Sequence, residues 1–311
     1  MECLLCLSKN TTKNKVSTRE EIIKIWKPFY NVEKIFKEEA VYNYKCNNCN
    51  LLFFDPKYAG DDDFYSELGK QTWYYEHPGK TEYDYVQQFF KSGFKVLDVG
   101  SGIGILKDKT KAEIDYTGLE LSTQAVKIAT EKGLNVKKET IQEHAENNEE
   151  VYDIVVSFQV LEHLTETKTF LESIKKVLKK GGKFVVAMPN NESFISRHPN
   201  YTFNLPPHHT ILWKKKQLEK LAEIYELEVV KIHNEPLQES HRKSAFYASK
   251  YWFINSLIFR KIKLIDQSKT HFRINRFINK FDKLLSTSFF KWILKSKIKD
   301  GQSIIVVYKK F

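Results

Sequence analysis

The run "YDIVVSF" at 152–158 is apolar almost throughout, so a strand built from it has to be covered on both faces. That requirement restricts the chain to a sheet with helices on either side, and the flanking sequence agrees. "KVLDVG" (95–100) and "DYTGLEL" (115–121) are further buried-strand patterns. "STQAVKIATEKG" (122–133) reads as a helix with Ser122 as its N-cap and Gly133 at its end. "TETKTFLESIKKVLKKGG" (165–182) carries apolar residues at helical spacing before its glycines, and "KFVVAMP" (183–189) is again a strand. "WKKKQLEKLAEIYELEVVKI" (213–232) gives a helix followed by a strand, and "QSIIVVYKK" (302–310) is a last strand. Alternation of this kind predicts an α/β fold around a parallel sheet.

The 311 residues, 41% hydrophobic and 29% charged, suffice for a sizeable core with appendages. The N-terminal "MECLLCLSKN" turns polar too soon for a secretory signal, and no uncharged apolar run reaches the roughly 18–20 residues of a membrane span. A cytoplasmic location is expected, with at most peripheral contact to the inner face of the membrane. Net charge is +11, but 15 Lys and Arg against only Asp266 and Asp282 fall within 241–299, which leaves the remainder slightly acidic. Charge confined in this way predicts one local partner rather than a wholly cationic protein.

All four cysteines lie near the start, as Cys3-x2-Cys6 and Cys46-x2-Cys49. Two thiolate pairs of that spacing can supply a tetrahedral, structural Zn2+ site, closed because sulfur fills every position. Reduced, unliganded pairs and a redox pair are the alternatives. Between the pairs, "STREEIIKIWKPF" (17–29) has the spacing of an inserted helix or strand. After Cys49, "LLFFDPKYAGDDDFY" passes from a strand into an acidic linker, with a domain boundary near Asp61. A lead-in rich in aromatic residues follows, with Tyr65, Trp73, Tyr74, Tyr75, Tyr83 and Tyr85. The expected division is a zinc module at 1–60, a Tyr-rich linker or helical lead-in at 61–93, a main domain at 94–236 and 301–311, and an insert at 237–300.

"VLDVGSGIG" (96–104) spaces Gly100, Gly102 and Gly104 at alternate positions, without the longer gap of the dinucleotide fingerprint. Asp98 precedes the first glycine by two residues, and Glu120 ends the next strand. A carboxylate at Asp98 suits a ligand carrying an ammonium and a sulfonium better than one carrying two phosphates. S-adenosylmethionine (SAM) has those cations. Glu120 can accept two hydrogen bonds from ribose hydroxyls, a property shared with NAD folds.

In order along the chain, "VLDVGSGIG", "YTGLELS", "YDIVVSFQVLEHL" and "LKKGGKFVVAMPN" resemble the motifs of the class I SAM-dependent methyltransferases, over about 94–232 plus the final strand. "YKCNNCNLLFFDP" is similar to a branch in which the methyltransferase domain follows a four-cysteine zinc knuckle, and whose members often act on glycans, lipids or other small natural products. The resemblance implies a Rossmann-like, mostly parallel seven-stranded sheet with helices on both faces. It also implies that Gly100, Ser101, Gly102 and Gly104 admit the methionine part of SAM while Asp98 organises its amino group. By the same resemblance Glu120 takes the ribose and Leu121 packs on the adenine. Thr140 and Ile141 would meet the adenine edge, and Ser157, Phe158 and Gln159 the methionine end.

Methyl transfer is an in-line displacement at carbon, to which positioning contributes on the order of 7–11 kcal/mol. An acceptor hydroxyl must also lose its proton, which a neutral imidazole can take. The catalytic candidates are His209 and His208 in "LPPHHTILW", on a loop restrained by two prolines, and His163 in "VLEHL". For the pair, capping the following helix or packing on Trp213 is the alternative. Gln159-x-x-Glu162-His163 is also similar to the E-x-x-E-H stretch that binds a divalent ion in methyltransferases of small-RNA 3′ ends and ubiquinone precursors. Neutral Gln159 serves a hard cation poorly, so Glu162 and His163 are expected to shape the site wall.

Before the last strand, "AFYASKYWFINSLIF" (245–259) and an apolar stripe from Ile274 through Phe277, Ile278 and Phe281 to Ile293, flanked by Arg and Lys, describe a basic amphipathic helical insert. Such a segment fits an anionic membrane surface, a lid over the acceptor or a homodimer face. Nucleic acid fits less well, because the charge is confined to one greasy segment. The expected activity is SAM-dependent methyl transfer, most simply to oxygen, on a small, glycan-type or lipid-linked acceptor. An RNA 2′-O-methyltransferase and a non-catalytic binding protein are the rivals.

Overall fold

The computed structural model describes residues 1–71, 80–258, 261–281, 298 and 300–311. Trp73, Tyr74 and Tyr75 of the lead-in, and Leu284 to Ile293 of the insert's stripe, lie outside the described residues.

The first strand, β1 (Thr11–Thr18), runs directly into α1 (Arg19–Trp26). A capping box makes the join: the Thr18 hydroxyl accepts from the Glu21 N–H, and the Glu21 carboxylate accepts from the Thr18 N–H. Such a cap contributes about 1 kcal/mol. The segment expected to be helix or strand is therefore this helix. β2 (Ala40–Cys46) and β3 (Leu52–Phe54) follow. Asp61, at the expected meeting of the acidic linker and the lead-in, caps α2 (Asp62–Gly69) by accepting from the Phe64 N–H at 2.9 Å. An acidic run at a helix N-terminus complements the helix dipole, so the same residues that read as a linker start a helix.

After α3 (Thr81–Val86), strands and helices alternate: β4 (Lys95–Val99), α4 (Ile105–Lys109), β5 (Asp115–Leu119), α5 (Thr123–Glu131), β6 (Val136–Lys137), α6 (Ile141–Glu146), β7 (Tyr152–Phe158), α7 (Thr167–Val177) and β8 (Leu178–Pro189). Ser122 caps α5 by accepting from the Ala125 N–H, and Gly133 turns the chain beyond it with φ 78°. β8 begins earlier than the expected strand at 183, since Leu178 already pairs with Tyr152 of β7. The short β9 (Ile211–Leu212) precedes α8 (Lys215–Ile224), β10 (Leu227–Asn234), α9 (Arg242–Leu257), α10 (Lys269–Lys280) and β11 (Ser303–Lys310).

Seven strands form the main sheet in the order β10-β11-β8-β7-β4-β5-β6, with β11 antiparallel to both neighbours and the remaining pairs parallel. Alternate residues of each strand enter opposite cores. Leu97, Val155, Val186 and Val306 pack with Phe170, Ile174 and Leu218 on one face, and Val96, Ile154, Val185 and Ile305 pack with Val86, Leu106 and Ala129 on the other. Both faces are covered, which is why the strands lack polar alternation. β4 has β5 on one side and β7 on the other, so the loops leaving these strands diverge and open a crevice at the carboxyl edge.

A second, antiparallel sheet has the order β1-β2-β3-β9, with Leu52 opposite Leu212 and Phe53 opposite Ile211. Its last strand comes from the chain after β8 of the main sheet, so the cysteine-bearing segment and the loop after β8 are parts of one structure. No helix among the described residues is long and apolar enough to cross a membrane.

Candidate active site

Asp98 lies near the carboxyl end of β4, 4% exposed, and accepts a hydrogen bond from the Tyr116 hydroxyl at 3.0 Å. Burial pushes its pKa up to about 7, the Tyr116 bond opposing only part of the effect. Lys80 is the described cation that favours its charged form, and it acts more weakly than burial, Tyr116 or the like charge of Glu120. Beyond Asp98 the backbone is left-handed at Gly100 (φ 78°), Gly102 (φ 54°) and Gly104 (φ 81°). A Cβ on Gly100 would stand 2.4 Å from Val160 Cγ2, and one on Gly104 2.2 Å from Leu134 Cδ1, so these turns admit glycine only.

Glu120, just past β5, braces that turn. Its Oε2 accepts from the Gly102 N–H at 2.9 Å and its Oε1 from the Ser122 N–H at 2.8 Å. Each oxygen keeps a second lone pair. Leu121 beside it is 60% exposed, an apolar side chain left bare at the crevice lip. Ser101 packs its hydroxyl on Gly118, and Ser157 buries a hydroxyl that has no hydrogen-bond partner among the described residues.

Thr140, Ile141, Phe158 and Gln159, the other expected cofactor contacts, have these partners within the protein. The Thr140 hydroxyl caps α6 by accepting from the Glu143 N–H at 3.2 Å, while Ile141 and Phe158 are buried in the two cores. Gln159, with φ 59°, donates from Nε2 to Glu82 Oε1 at 3.0 Å and to Ser303 Oγ at 3.3 Å.

The three candidate histidines do come together. His163 follows β7, and His208 and His209 arrive on the loop ahead of β9. Ring centroids are 4.6 Å apart for His163 and His208, 4.9 Å for His163 and His209, and 4.4 Å for the stacked His208 and His209. Each Nδ1 faces a carbonyl oxygen: His163 meets His208 O at 2.5 Å, His208 meets Phe203 O at 3.0 Å, and His209 meets Asn204 Oδ1 at 3.3 Å. A carbonyl can only accept, so Nδ1 donates in every ring and Nε2 carries the lone pair. The Asn204 amide is oriented by its own Nδ2, which donates to Asn191 Oδ1 at 2.8 Å. Tyr65 of α2 donates to the same His208 carbonyl at 3.3 Å.

Burial holds all three rings neutral, pushing His163 down to about 4 and His208 and His209 well below the usual histidine value. Glu162, 1% exposed, has Oε1 3.9 Å from Nε2 of both His163 and His209. Neither of its carboxylate oxygens has a hydrogen-bond partner in another described residue, and burial raises its pKa to about 8. The alternative role for the histidine pair is excluded in part: Lys214 is the N-cap of α8, without a side-chain cap bond, so neither histidine caps that helix.

A family model described as a methyltransferase domain matches residues 74–232, just over half of the chain. The chain belongs to that family. Among curated relatives, a ubiquinone biosynthesis O-methyltransferase of Vibrio atlanticus is 27% identical over 172 residues, covering 48% of this chain and 71% of the relative. The enzyme of the same name from Photorhabdus laumondii is 37% identical over 97 residues, but the match spans only 29% of this chain and 40% of the relative. Among solved structures, a SAM-dependent methyltransferase from Archaeoglobus fulgidus superposes with a TM-score of 0.51 at 20% identity, covering 80% of this chain and all of that one. The fold is thus that of a class I SAM-dependent methyltransferase.

In this methyltransferase the cysteine segment reaches the histidine loop. Trp26 Nε1 donates to Pro206 O at 2.8 Å, the Gly60 N–H to Pro207 O at 2.9 Å and the Phe54 N–H to Thr210 O at 2.7 Å. Gln217 of α8 donates to Cys49 O at 3.1 Å. Cys3 and Cys49 sulfurs are 3.5 Å apart, as are those of Cys6 and Cys46, and the four lie within 4.8 Å of one another, a set able to hold a metal ion. Sequence reasoning left Tyr65, Asn204 and the N-terminal brace of the loop without a site role. Only the neighbouring tyrosines and the Pro-Pro-His-His run signalled them.

Proposed function

We propose that this chain binds SAM in the crevice of Asp98, the glycine turn, Glu120 and Leu121, and methylates a hydroxyl oxygen of a small acceptor set against the histidine cluster. The observation that carries the cofactor reading is Asp98: a buried carboxylate with little opposing charge among the described residues, beside a left-handed glycine turn. A ligand ammonium supplies the missing charge, and the spare lone pairs of Glu120 suit a ribose diol. When bound, SAM supplies a methyl group on a positively charged sulfur. The chain's own residues then have three tasks. The glycine turn and Glu120 fix the cofactor's direction, the buried walls exclude water, and the neutral imidazoles present Nε2 lone pairs to the acceptor hydroxyl. The names of the Vibrio and Photorhabdus relatives support oxygen on a quinone-type precursor as the class to try first.

We read the cysteine set as a Zn2+ site of structural type, because four thiolates close the coordination shell. On this reading residues 1–60 are a brace for the histidine loop. The insert supplies an outer surface: α10 exposes Phe272 and Phe277 among Lys269, Arg273, Arg276 and Lys280, with no acid on the helix, which suits an anionic membrane face.

The test is incubation with SAM labelled at the methyl group and a panel of phenolic, catecholic and glycan acceptors, with products mapped by mass spectrometry. A new methoxy group on a hydroxylated acceptor is expected. Transfer only to nitrogen or to RNA would overturn the acceptor assignment.

A further inference from the structure

We infer that the acceptor carries a positively charged amino group near its hydroxyl, and that Glu82, Gln159 and His241 receive that group. The inference rests on the methyl-transfer reading proposed above and adds a charge to its substrate class. Glu82 lies in the first turn of α3 and is 1% exposed. Its Oε1 accepts from Gln159 Nε2 at 3.0 Å, while its Oε2 has no hydrogen-bond partner among the described residues. Glu82 forms no ion pair with any described residue, Lys80 included. A carboxylate so placed is costly to keep ionised away from water, and the start of a short helix offsets only part of the cost. A bound cation offsets the rest.

The positions left open around Glu82 are acceptors. Gln159 spends both Nε2 hydrogens, on Glu82 and on Ser303 Oγ at 3.3 Å, so its Oε1 is without a partner among the described residues. His241, just ahead of α9, buries an Nδ1 that has no partner there either. Burial holds this ring below the ordinary histidine value, and the opposing pull of the Glu82 charge shows how near the carboxylate stands. A primary ammonium has three donors and no acceptor, the complement of a carboxylate oxygen, an amide oxygen and a neutral ring nitrogen. The ring of Phe194, 6.2 Å from that of His241, adds an aromatic face. The cofactor's own ammonium is a different cation. Burial raises the pKa of Glu162 and the Glu82 charge adds to it, and Glu162 stands 3.9 Å from Nε2 of His163 and of His209. The groups acting on Asp98 are Tyr116, Glu120 and Lys80. Glu82 therefore serves the histidine side of the crevice, where the acceptor hydroxyl is set.

The test is calorimetry on the full chain loaded with S-adenosylhomocysteine, using matched probes: dopamine against 4-methylcatechol, and glucosamine against glucose. At least one amine should bind about 30-fold or more tightly than its neutral counterpart, as expected when a buried charge gains its partner. Glu82→Gln should bring that ratio to within about threefold of unity. The dissociation constant of S-adenosylhomocysteine should hold in the same variant, which also reports that it has folded. His241→Ala should weaken amine binding by about 3–10-fold, the loss of one hydrogen bond to a charged group. No amine preference in either pair, or a preference that Glu82→Gln leaves in place, overturns the inference. So does a cofactor affinity that falls together with the ratio, because Glu82 would then hold the cofactor's ammonium. Cofactor binding and methyl transfer without an amine preference defeat this inference alone. Amine binding that Glu82→Gln abolishes, in a chain that takes up no S-adenosylhomocysteine, defeats the methyltransferase reading alone.

Discussion

The cofactor crevice and the histidine cluster sit at the same edge of the sheet but are assembled differently. The crevice comes from one neighbourhood of chain: Asp98, three glycines and Glu120 lie within 23 residues, and the Glu120 bond to Gly102 closes them on themselves. The cluster is gathered from distant parts. Its loop is held by Trp26, Phe54 and Gly60 from the N-terminal segment, its carbonyl is shared by Tyr65, and its carboxylate comes from the turn after β7. Local construction makes the crevice robust to changes elsewhere. Non-local construction makes the cluster depend on the packing of the whole N-terminal sheet, and through it on the cysteines.

The sharpest way to separate the two regions is to damage each in turn. His209→Ala should lower the methyl-transfer rate by about 10²–10⁴-fold and leave SAM affinity unchanged in calorimetry. Equal losses in both would merge the two sites into one. Asp98→Ala should do the reverse, weakening SAM binding by about 2–5 kcal/mol, the usual loss when one member of a buried charge pair is truncated, with the far-UV spectrum intact. Cys46→Ser tests the brace. Loss of one thiolate should lower the melting temperature and cut transfer by roughly 10–100-fold through a displaced loop, while the SAM dissociation constant holds. A cofactor affinity that falls in step would show the crevice to be no more independent than the cluster.

The smallest effect is in pH. Asp98 must be ionised to meet an ammonium, and its pKa stands at about 7 in the folded chain. Below that value binding has to release a proton, so SAM affinity should fall by about tenfold per pH unit and level off above it. The same shift lowers stability of the ligand-free protein as pH rises from about 4 to 7, because the unfolded chain gives up this proton first. Asp98→Asn should flatten both profiles, which binding and thermal melts across pH 5–8 can check.

The contrast also explains what could be read from sequence. The Ser122 cap, the glycine turn and the doubly covered β7 are set by residues within one turn or one strand of each other, and such patterns survive in the linear text. Asp61 was legible as polar but ambiguous between linker and cap, since both use acidic residues. The two-residue β9 carries no pattern of its own; its pairing with β3 decides it. The bond from Trp26 to Pro206 spans 180 residues. The Pro-Pro-His-His run marked His208 and His209 for attention, but Asn204 and Tyr65 became partners only when the chain folded around them.

The most direct test of the central claim is titration calorimetry of the purified chain with SAM, run beside NADH. One SAM site per chain, abolished in Asp98→Ala, with no heat from NADH, is the predicted result. No SAM binding, or binding of the nicotinamide dinucleotide in its place, would contradict it.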